Sequence, residues 1–384
     1  MSYKRLGDYI QQVNVRNRDL EDLPLVGLSI TKEFIPSIAN TIGTDMSTYR
    51  IIERNQFAYG PVTSRNGDKI TIALFDAYDK ALISQAYIPF KVKETNELNP
   101  EYLMMWFRRQ EFDRYARFKS HGSAREIFDW EEMCEVELPV PPIGKQREIV
   151  AQYQAVTNKI KVNEQICSTL EATAQALYKH WFVDFEFPNE NGQPYKSSGG
   201  AMVYNEELEK EIPEGWEVVK LEKVSNLKYG KMLDSDNFLT EGFPVFSGYG
   251  VRGFYSEYMY EEPQILVLCR GVSGTGEVRL SPKFSYITNL SIVVELFTEK
   301  TTKLFIYYYL KNDDLRSLDS GSAQSMITTG DLYFRDILLP EYSIQKLFDK
   351  QIHQNMNFVE SIKKQNQELA EVQSLLLSRL ARED

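Results

Sequence analysis

The feature that most constrains this chain is that it repeats itself at long period. The stretch "HGSAREIFDWEEMCEVELPVPP" at 121–142 resembles "SGSAQSMITTGDLYFRDILLPE" at 320–341, an offset of 199 residues. Gly122-Ser123-Ala124 falls opposite Gly321-Ser322-Ala323, and Pro141 opposite Pro340. Each copy runs on into a long segment without proline. In the first, Ile149, Tyr153, Val156, Ile160, Asn163, Cys167, Leu170, Ala174, Leu177 and Trp181 step by four and three. Adding the same offset gives Phe348, Ile352, Asn355, Val359, Ile362, Asn366, Leu369, Gln373, Leu376 and Leu380. Both series keep a heptad-like apolar seam with polar interruptions. At about 1.5 Å per residue, the helix predicted over 149–181 spans roughly 50 Å. Two such seams most simply bury each other, with Asn163, Asn355 and Asn366 placed to set register. Packing of each helix on its own domain is the alternative.

The front of the repeat is weaker. "YKRLGDYI" at 3–10 resembles "VVKLEKVS" at 218–225, with Leu6 opposite Leu221, but the offset is now 215, so the copies differ by insertions. The expected order is a first domain (1–142), a long helix (143–183), a linker rich in Gly, Pro, Ser and acid (184–213), a second domain (214–342) and a second long helix (343–384). The fold class is α+β with an internal repeat. "KITIALF", "QILVLCR" and "TNLSIVVELF" read as strands; "EYLMMWFRRQEFDRYARF" and "TKLFIYYYLKNDDLRSL" read as helices just before the two Gly-Ser-Ala turns.

The glycine-rich "FPVFSGYGVRGFYSE" at 243–257 matches two cofactor patterns at once. Phe246 to Gly250 reads F-x-G-x-G, as in adenine methyltransferases, and Gly248 to Gly253 reads G-x-G-x-x-G. A dinucleotide fingerprint needs a helix after it to hold the pyrophosphate, and here strand-like "FYSEYMY" follows. The methyltransferase pattern needs a second Pro-Pro-aromatic loop, whereas the only Pro-Pro, Pro141-Pro142, leads into the long helix. No phosphate loop occurs, since Gly230-Lys231 is followed by Met232, and no Pro-Asp dipeptide is present. Three scattered cysteines and three histidines argue against a disulfide framework or a metal centre. Catalysis is disfavoured, and neither a catalytic residue nor a cofactor is assigned to this chain.

The glycines then read as turns that display side chains, with Tyr249 and Arg252 on a loop. A second cluster, "CRGVSGTGEVRLSPKFSYITN" at 269–289, reads as strand, tight turn, strand. It carries Arg270, Ser273, Thr275 and Arg279. In the first domain "YGPVTSRNGDKITIALF" at 59–75 has the same character, with Ser64, Arg65, Asn66 and Lys69 at its turn. Arg125 and Lys231 complete the set. Hydroxyls, amides and cations of this kind contact phosphates and base edges in nucleic acids. An ordinary hairpin with exposed polar residues is the alternative. Arg108, Arg109, Arg114, Arg117 and Lys119 add a basic run interleaved with acids, which also fits a solvated helix face. The net charge is −11, unlike a typical nucleic-acid binder, so such contacts would be local or a partner would supply charge. No run of about 18 apolar residues or apolar leader occurs, so a cytoplasmic protein without a membrane segment is expected.

"ELPVPPIGKQREIV" followed by "LEATAQALYKHWFVDFEFP", the second copy "LLPEYSIQKLFDKQI" with "LLLSRL", the two Gly-Ser-Ala segments and "PEGWEVVKLEKV" together resemble the specificity subunit of type I restriction-modification enzymes. The resemblance covers nearly the whole chain. "PEYSIQK" departs from it in lacking the Pro-Pro before the second helix. It implies two target-recognition domains held apart by two antiparallel coiled-coil helices about a pseudo-twofold, each domain reading half of a split double-stranded DNA site. It implies no catalysis by the subunit itself. Two modification subunits would bind it and methylate adenine with S-adenosylmethionine; restriction subunits, where present, would add ATP- and Mg-dependent translocation and cleavage. The helix seam carried by Ile149, Tyr153, Val156, Ile160, Leu170, Leu177, Phe348, Ile352, Val359, Ile362, Leu369 and Leu376 would set the spacer. A scaffold with duplicated ligand-binding domains on a coiled-coil stalk is the rival reading.

Overall fold

Short β-branched and aromatic runs bounded by turn residues become strands, and the two proline-free seams become two very long helices. The computed structural model describes residues 3–37, 43–64, 66–121, 126–271, 274–318 and 326–381. The chain divides into two compact units, Met1–Asn163 with Lys363–Asp384, and Glu164–Ile362. Both divisions fall within the long helices, so each unit contains part of both.

The first unit runs through β1 (Tyr3–Arg5), β2 (Ile10–Gln12), β3 (Leu25–Leu28), β4 (Phe34–Pro36), β5 (Arg50–Glu53), β6 (Phe57–Tyr59), β7 (Ile72–Leu74), β8 (Lys80–Ile83) and β9 (Ile88–Val92). Helices α1 (Pro100–Phe107), α2 (Gln110–Phe118) and α3 (Trp130–Cys134) follow, then β10 (Glu137–Pro139) and the long helix α4 (Ile143–Phe182). One antiparallel sheet has the order β2-β9-β6-β7; a second, β4-β3-β8-β5, contains the parallel pair β3-β8. β1 pairs with β10 and so brings the chain start beside the entry to α4. Phe57, Phe90 and Phe107 meet at the centre of the core, with Phe57 stacked on Phe90 at 4.9 Å.

The second unit contains β11 (Met202–Asn205), β12 (Lys210–Pro213), β13 (Glu217–Lys220), β14 (Ser225–Tyr229), β15 (Phe243–Phe246), β16 (Val251–Tyr255), β17 (Ile265–Leu268), β18 (Val278–Leu280), β19 (Tyr286–Ile287) and β20 (Ser291–Leu296). Then come α5 (Lys303–Asn312), α6 (Thr329–Tyr333), β21 (Asp336–Leu339) and the second long helix α7 (Tyr342–Arg379). Its sheets are β14-β20-β17-β18 and β16-β15-β19, the latter with the parallel pair β15-β19, and β13 pairs with β21. The four-stranded sheet and the β13–β21 pair repeat those of the first unit, whereas β16-β15-β19 matches only β4-β3-β8 and, among the described residues, has no counterpart of β5.

The hydrogen bonds repeat at both offsets read from the sequence. The Leu6 N–H donates to the Val136 carbonyl at 2.7 Å, and that of Leu221 to the Arg335 carbonyl at 2.9 Å. Phe128 N–H donates to Pro61 O, and Ile327 N–H to Cys269 O. Asp129 and Thr328 cap α3 and α6. A further matched pair is Gln146 and Gln345, each 0% exposed. Gln146 donates to Glu97 O and Pro141 O and accepts from the Asn99 N–H at 2.8 Å. Gln345 donates to Pro340 O and accepts from the Thr302 N–H at 3.1 Å and the Thr301 hydroxyl at 2.8 Å. Asn99 and Thr302 are the N-cap residues of α1 and α5. Each glutamine therefore ties the start of a long helix to the cap of a helix in its own unit.

Within each unit the two long helices run antiparallel. In the first, the Gln373 amide donates to the Thr157 hydroxyl at 2.7 Å, and the Asn163 amide to Asn366 Oδ1 at 2.7 Å and Gln365 Oε1 at 2.9 Å. Val150, Tyr153 and Leu380 close the seam against the sheet-bearing core. In the second, Tyr178, Trp181 and Phe182 surround Phe348 with ring centroids 5.1–6.1 Å apart. Ile149, Val156, Ile160, Leu170, Leu177, Val359, Leu369 and Leu376 are half-buried; Tyr153, Phe348, Ile352 and Ile362 are buried.

Three sequence expectations differ from the structure. The segment 184–213, expected as a linker, buries Phe185 and Phe187 against Trp216 and ends in the β11–β12 hairpin. Its glycine and acid content conceals an aromatic anchor. "EYLMMWFRRQEFDRYARF" is two helices that break at Arg108-Arg109. The second such stretch ends as α-helix at Asn312 and continues as a 3-10 turn, Leu315–Leu318.

Candidate nucleic-acid interface

The two polar turns singled out in the sequence occupy the same place in the two units: the β6–β7 connection (60–71) and the β17–β18 connection (269–277). Each is held at its base by the segment that follows Gly-Ser-Ala. Val62 bridges to Ile127 in the first, Arg270 to Met326 in the second. The Thr63 hydroxyl donates to Ser120 Oγ at 2.9 Å, tying the first turn to the end of α2. Arg65, Arg125, Ser273 and both Gly-Ser-Ala triplets lie outside the described residues.

In the first turn Ser64 and Lys69 are exposed, and Asn66 is half-buried with its amide donating to Val62 O at 3.2 Å. In the second unit four stretches come together. Lys231 N–H donates to Ile287 O, Thr288 N–H to Phe246 O, Cys269 N–H to Leu290 O, and the Ser291 hydroxyl to Ser247 O at 3.0 Å. This knot carries exposed Lys231, Tyr249 and Arg270. It also explains the "FSGYG" glycines. Gly248 and Gly250 have φ of +82° and +147°, and a Cβ on Gly248 would come within 2.6 Å of Ser291 Oγ and 2.7 Å of Leu268 Cδ1. The glycines serve a tight β15–β16 turn, without the helix start that a pyrophosphate would need.

Some candidates are placed differently from expectation. Arg252 lies on strand β16, at the irregular register beside Phe246, and is exposed there instead of on a loop. Thr275 is only 3% exposed; its hydroxyl donates to Gly271 O at 2.6 Å and braces the turn from inside, so it is not displayed. Arg279 pairs with Glu277 and lines an open cleft of about 360 Å³ with Thr275, Lys311, Asp313 and Arg316.

Ion pairing sorts the cations. Arg109 pairs with Glu111 at 3.5 Å and lies over the Trp106 ring at 4.2 Å; Arg114 pairs with Glu111, Arg117 with Glu126, and Lys119 with Glu132 at 3.2 Å. Arg108 reaches the Tyr153 hydroxyl at 3.4 Å. The basic run is committed inside its own unit. Of the described candidate cations, Lys69, Lys231, Arg252 and Arg270 make no ion pair and remain exposed. They are free to meet phosphates or base edges. The described residues include no cluster of three or more metal-ligating side chains.

Sequence reasoning missed two kinds of residue. The Gln146/Gln345 pair was legible, being identical residues at the repeat offset. Lys32 and Asp113 carry no motif. They form a buried ion pair at 2.8 Å, and Asp113 also accepts from the Ile70 N–H at 3.2 Å at the end of the β6–β7 turn. Burial lowers the Lys32 pKa although Asp113 opposes the shift.

A family model described as type I restriction modification DNA specificity domain matches residues 32–172 and 213–371. The chain is 27% identical over 316 residues to the type I restriction enzyme MjaIX specificity subunit of Methanocaldococcus jannaschii, covering 73% of this chain and 68% of that one. It is 21% identical to the type I restriction enzyme HindI specificity subunit of Haemophilus influenzae, covering 86% of each. The crystal structure of the type I restriction-modification S subunit from M. genitalium superposes with a TM-score of 0.60 at 15% identity, over 100% of this chain and 96% of that one.

Proposed function

The chain belongs to the type I restriction-modification DNA specificity family, and from that premise we propose that it reads a bipartite site in double-stranded DNA, one half per unit. The observation that carries the reading is the repeat itself. Two copies of one scaffold present equivalent turns, 60–71 and 269–277, with unlike side chains. Equal scaffolds suit two copies of one partner; unlike turns suit an asymmetric sequence.

On this reading the recognition domains are 1–142 and 214–342, and the helical segments 143–183 and 343–384 set the spacer and dock two modification subunits. The subunit itself is not a catalyst. S-adenosylmethionine and adenine methylation belong to the modification subunits, and ATP and Mg to restriction subunits where these are present. The acidic balance fits a complex in which partners enclose the DNA and supply much of the positive charge. The lack of any helix long and apolar enough to cross a membrane, among the described residues, is compatible with a cytoplasmic site of action on DNA. The free cations Lys69, Lys231, Arg252 and Arg270 are the proposed DNA contacts, with Ser64 and Asn66 beside Lys69; the Tyr249 hydroxyl is already committed to Arg270 O. Family membership disfavours a ligand-binding scaffold unrelated to DNA.

The test is domain exchange in the assembled methyltransferase. Replacing 214–340 with another recognition domain should change one half of the methylated motif and leave the other half intact. A change in both halves contradicts modular reading.

A further inference from the structure

The β3–β4 and β15–β16 turns hold the same position in the two units. Each joins the strand that runs parallel to its neighbour in the second sheet to an antiparallel partner. From each turn one side chain reaches towards the polar turn of the first sheet, with different chemistry in the two units.

In the second unit that side chain is Tyr249. Its hydroxyl donates to Arg270 O at 2.8 Å. Its ring lies over Gly271 and Gly274, where a Cβ on Gly274 would come within 2.5 Å of the ring and one on Gly271 would overlap the hydroxyl. Two glycines of the 269–277 turn thus form a slot for one tyrosine from the other sheet. The residue is still 44% exposed, so burial of its ring does not explain the arrangement.

In the first unit the side chain is Lys32. It has a left-handed φ of +64°, a conformation a lysine does not adopt without support. The residue is only 6% exposed, and its ammonium donates to Phe107 O at the end of α1 and pairs with Asp113. Asp113 in turn holds the Ile70 N–H that closes the 60–71 turn. An unpaired lysine there would be costly, so the geometry is held by the pair.

We propose that the tips of these two hairpins are latches that fix the shape of the sequence-reading turns, with Tyr249 and the Lys32–Asp113 pair as positioning residues for specificity. The inference rests on the reading of the chain as a DNA-specificity subunit. It requires no DNA contact by either latch. A turn with an intact latch presents its cations in one geometry; a released turn samples several and tolerates more sequences.

The test uses Tyr249→Phe and Asp113→Asn in the full chain assembled with its modification partner. Tyr249→Phe removes one hydrogen bond and leaves the ring in its slot. Asp113→Asn keeps an acceptor for Ile70 but removes the counter-charge of Lys32. Hydrogen exchange should quicken about fivefold across 269–277 in Tyr249→Phe, the effect of one lost hydrogen bond. It should quicken at least about tenfold across 60–71 in Asp113→Asn, where a charge-assisted bond is weakened. In each variant the other unit should be unchanged. Methylation mapping should show relaxed base preference in one half-site only, a different half for each variant, with methylation of the cognate site within about twofold for Tyr249→Phe. Unchanged exchange in the Tyr249→Phe turn overturns the latch. So does faster exchange with an unaltered half-site preference. If Asp113→Asn fails to fold, Tyr249→Phe alone decides. A wild-type complex that methylates no split motif refutes the specificity reading instead, and the exchange data still judge the latch separately.

Discussion

Replacing Gln146 with leucine tests the most repeated device in the fold. Leucine has nearly the same volume, so the effect isolates hydrogen bonding. The substitution strips partners from three groups: the buried Pro141 carbonyl and the part-buried Asn99 N–H and Glu97 carbonyl. A buried group left unsatisfied costs about 1–3 kcal/mol, and partial relaxation makes three such losses less than additive. A total of about 3–4 kcal/mol is expected, felt first at α1, whose cap Gln146 holds. A chain of two units does not unfold in one step, so a global midpoint is the wrong readout. Hydrogen exchange of the α1 amides reports local opening directly. At about 1.4 kcal/mol per decade, 3 kcal/mol predicts exchange on the order of a hundredfold faster in α1, with α5 in the other unit unchanged. Gln345→Leu should do the reverse. The neighbouring Lys145→Leu, which removes only an exposed ion pair with Glu148 at 3.0 Å, should change neither. Exchange in α1 of Gln146→Leu within threefold of wild type would refute the clamp.

Three further outcomes are expected. A Cβ at Gly230 would meet the Thr288 carbonyl and come within 2.6 Å of the Ile287 carbonyl, whereas Gly67 has φ +62° and open space around it. Gly230→Ala should therefore cost at least about 3 kcal/mol and open the β14–β20 ladder, and Gly67→Ala only about 1 kcal/mol; equal costs in chemical denaturation would contradict this. Asn163→Leu removes a 1%-exposed amide that ties the two long helices together and should leave stability equal or higher while loosening register, as buried polar residues in coiled coils do. Disulfide trapping should then capture a cysteine at Ile160 with one at Leu369 and, in a separate double-cysteine chain, with one at Leu376; cross-linking of the 160–369 pair alone would count against a register role. Burial pushes the Tyr102 hydroxyl, which donates to Pro139 O, up to about 12, and raises Tyr59, Tyr178, Tyr308 and Tyr309 as well. Their folded pKa values exceed the unfolded value near 10, so their contribution is complete below pH 10 and is lost as pH rises towards 12 and beyond. Phenolate absorbance from these residues should appear together with loss of circular dichroism; ionisation at pH 10 in a folded chain would be the contrary result.

The long helices were legible because a four-and-three apolar step sustained over some nine turns has few other solutions. The repeat was legible wherever both copies need the same contact. Leu6 and Leu221 are both fully buried, and the proline entries lead into helices that start at Ile143 and Tyr342, again 199 residues apart. What failed to show was where polar side chains point. Thr275 and Ser64 look alike in sequence, yet one hydroxyl turns inward to Gly271 O while the other side chain is exposed. The basic run 108–119 looked available and is consumed by Glu111, Glu126 and Glu132, the last two of which lie beyond α2 in sequence. Lys32 and Asp113 are 81 residues apart, and nothing local in either neighbourhood announces the pair. The aromatic anchor of 184–213 was hidden by its glycines and acids, because composition averages over the two phenylalanines that decide its packing.

The most direct test of the central claim is a map of methylated adenines in cells that carry a matching modification subunit, with and without this chain. The account predicts a split motif, two defined half-sites around an unread spacer, that appears only when the chain is present. Absence of chain-dependent methylation in a complex verified as assembled, or an unsplit motif, would contradict it.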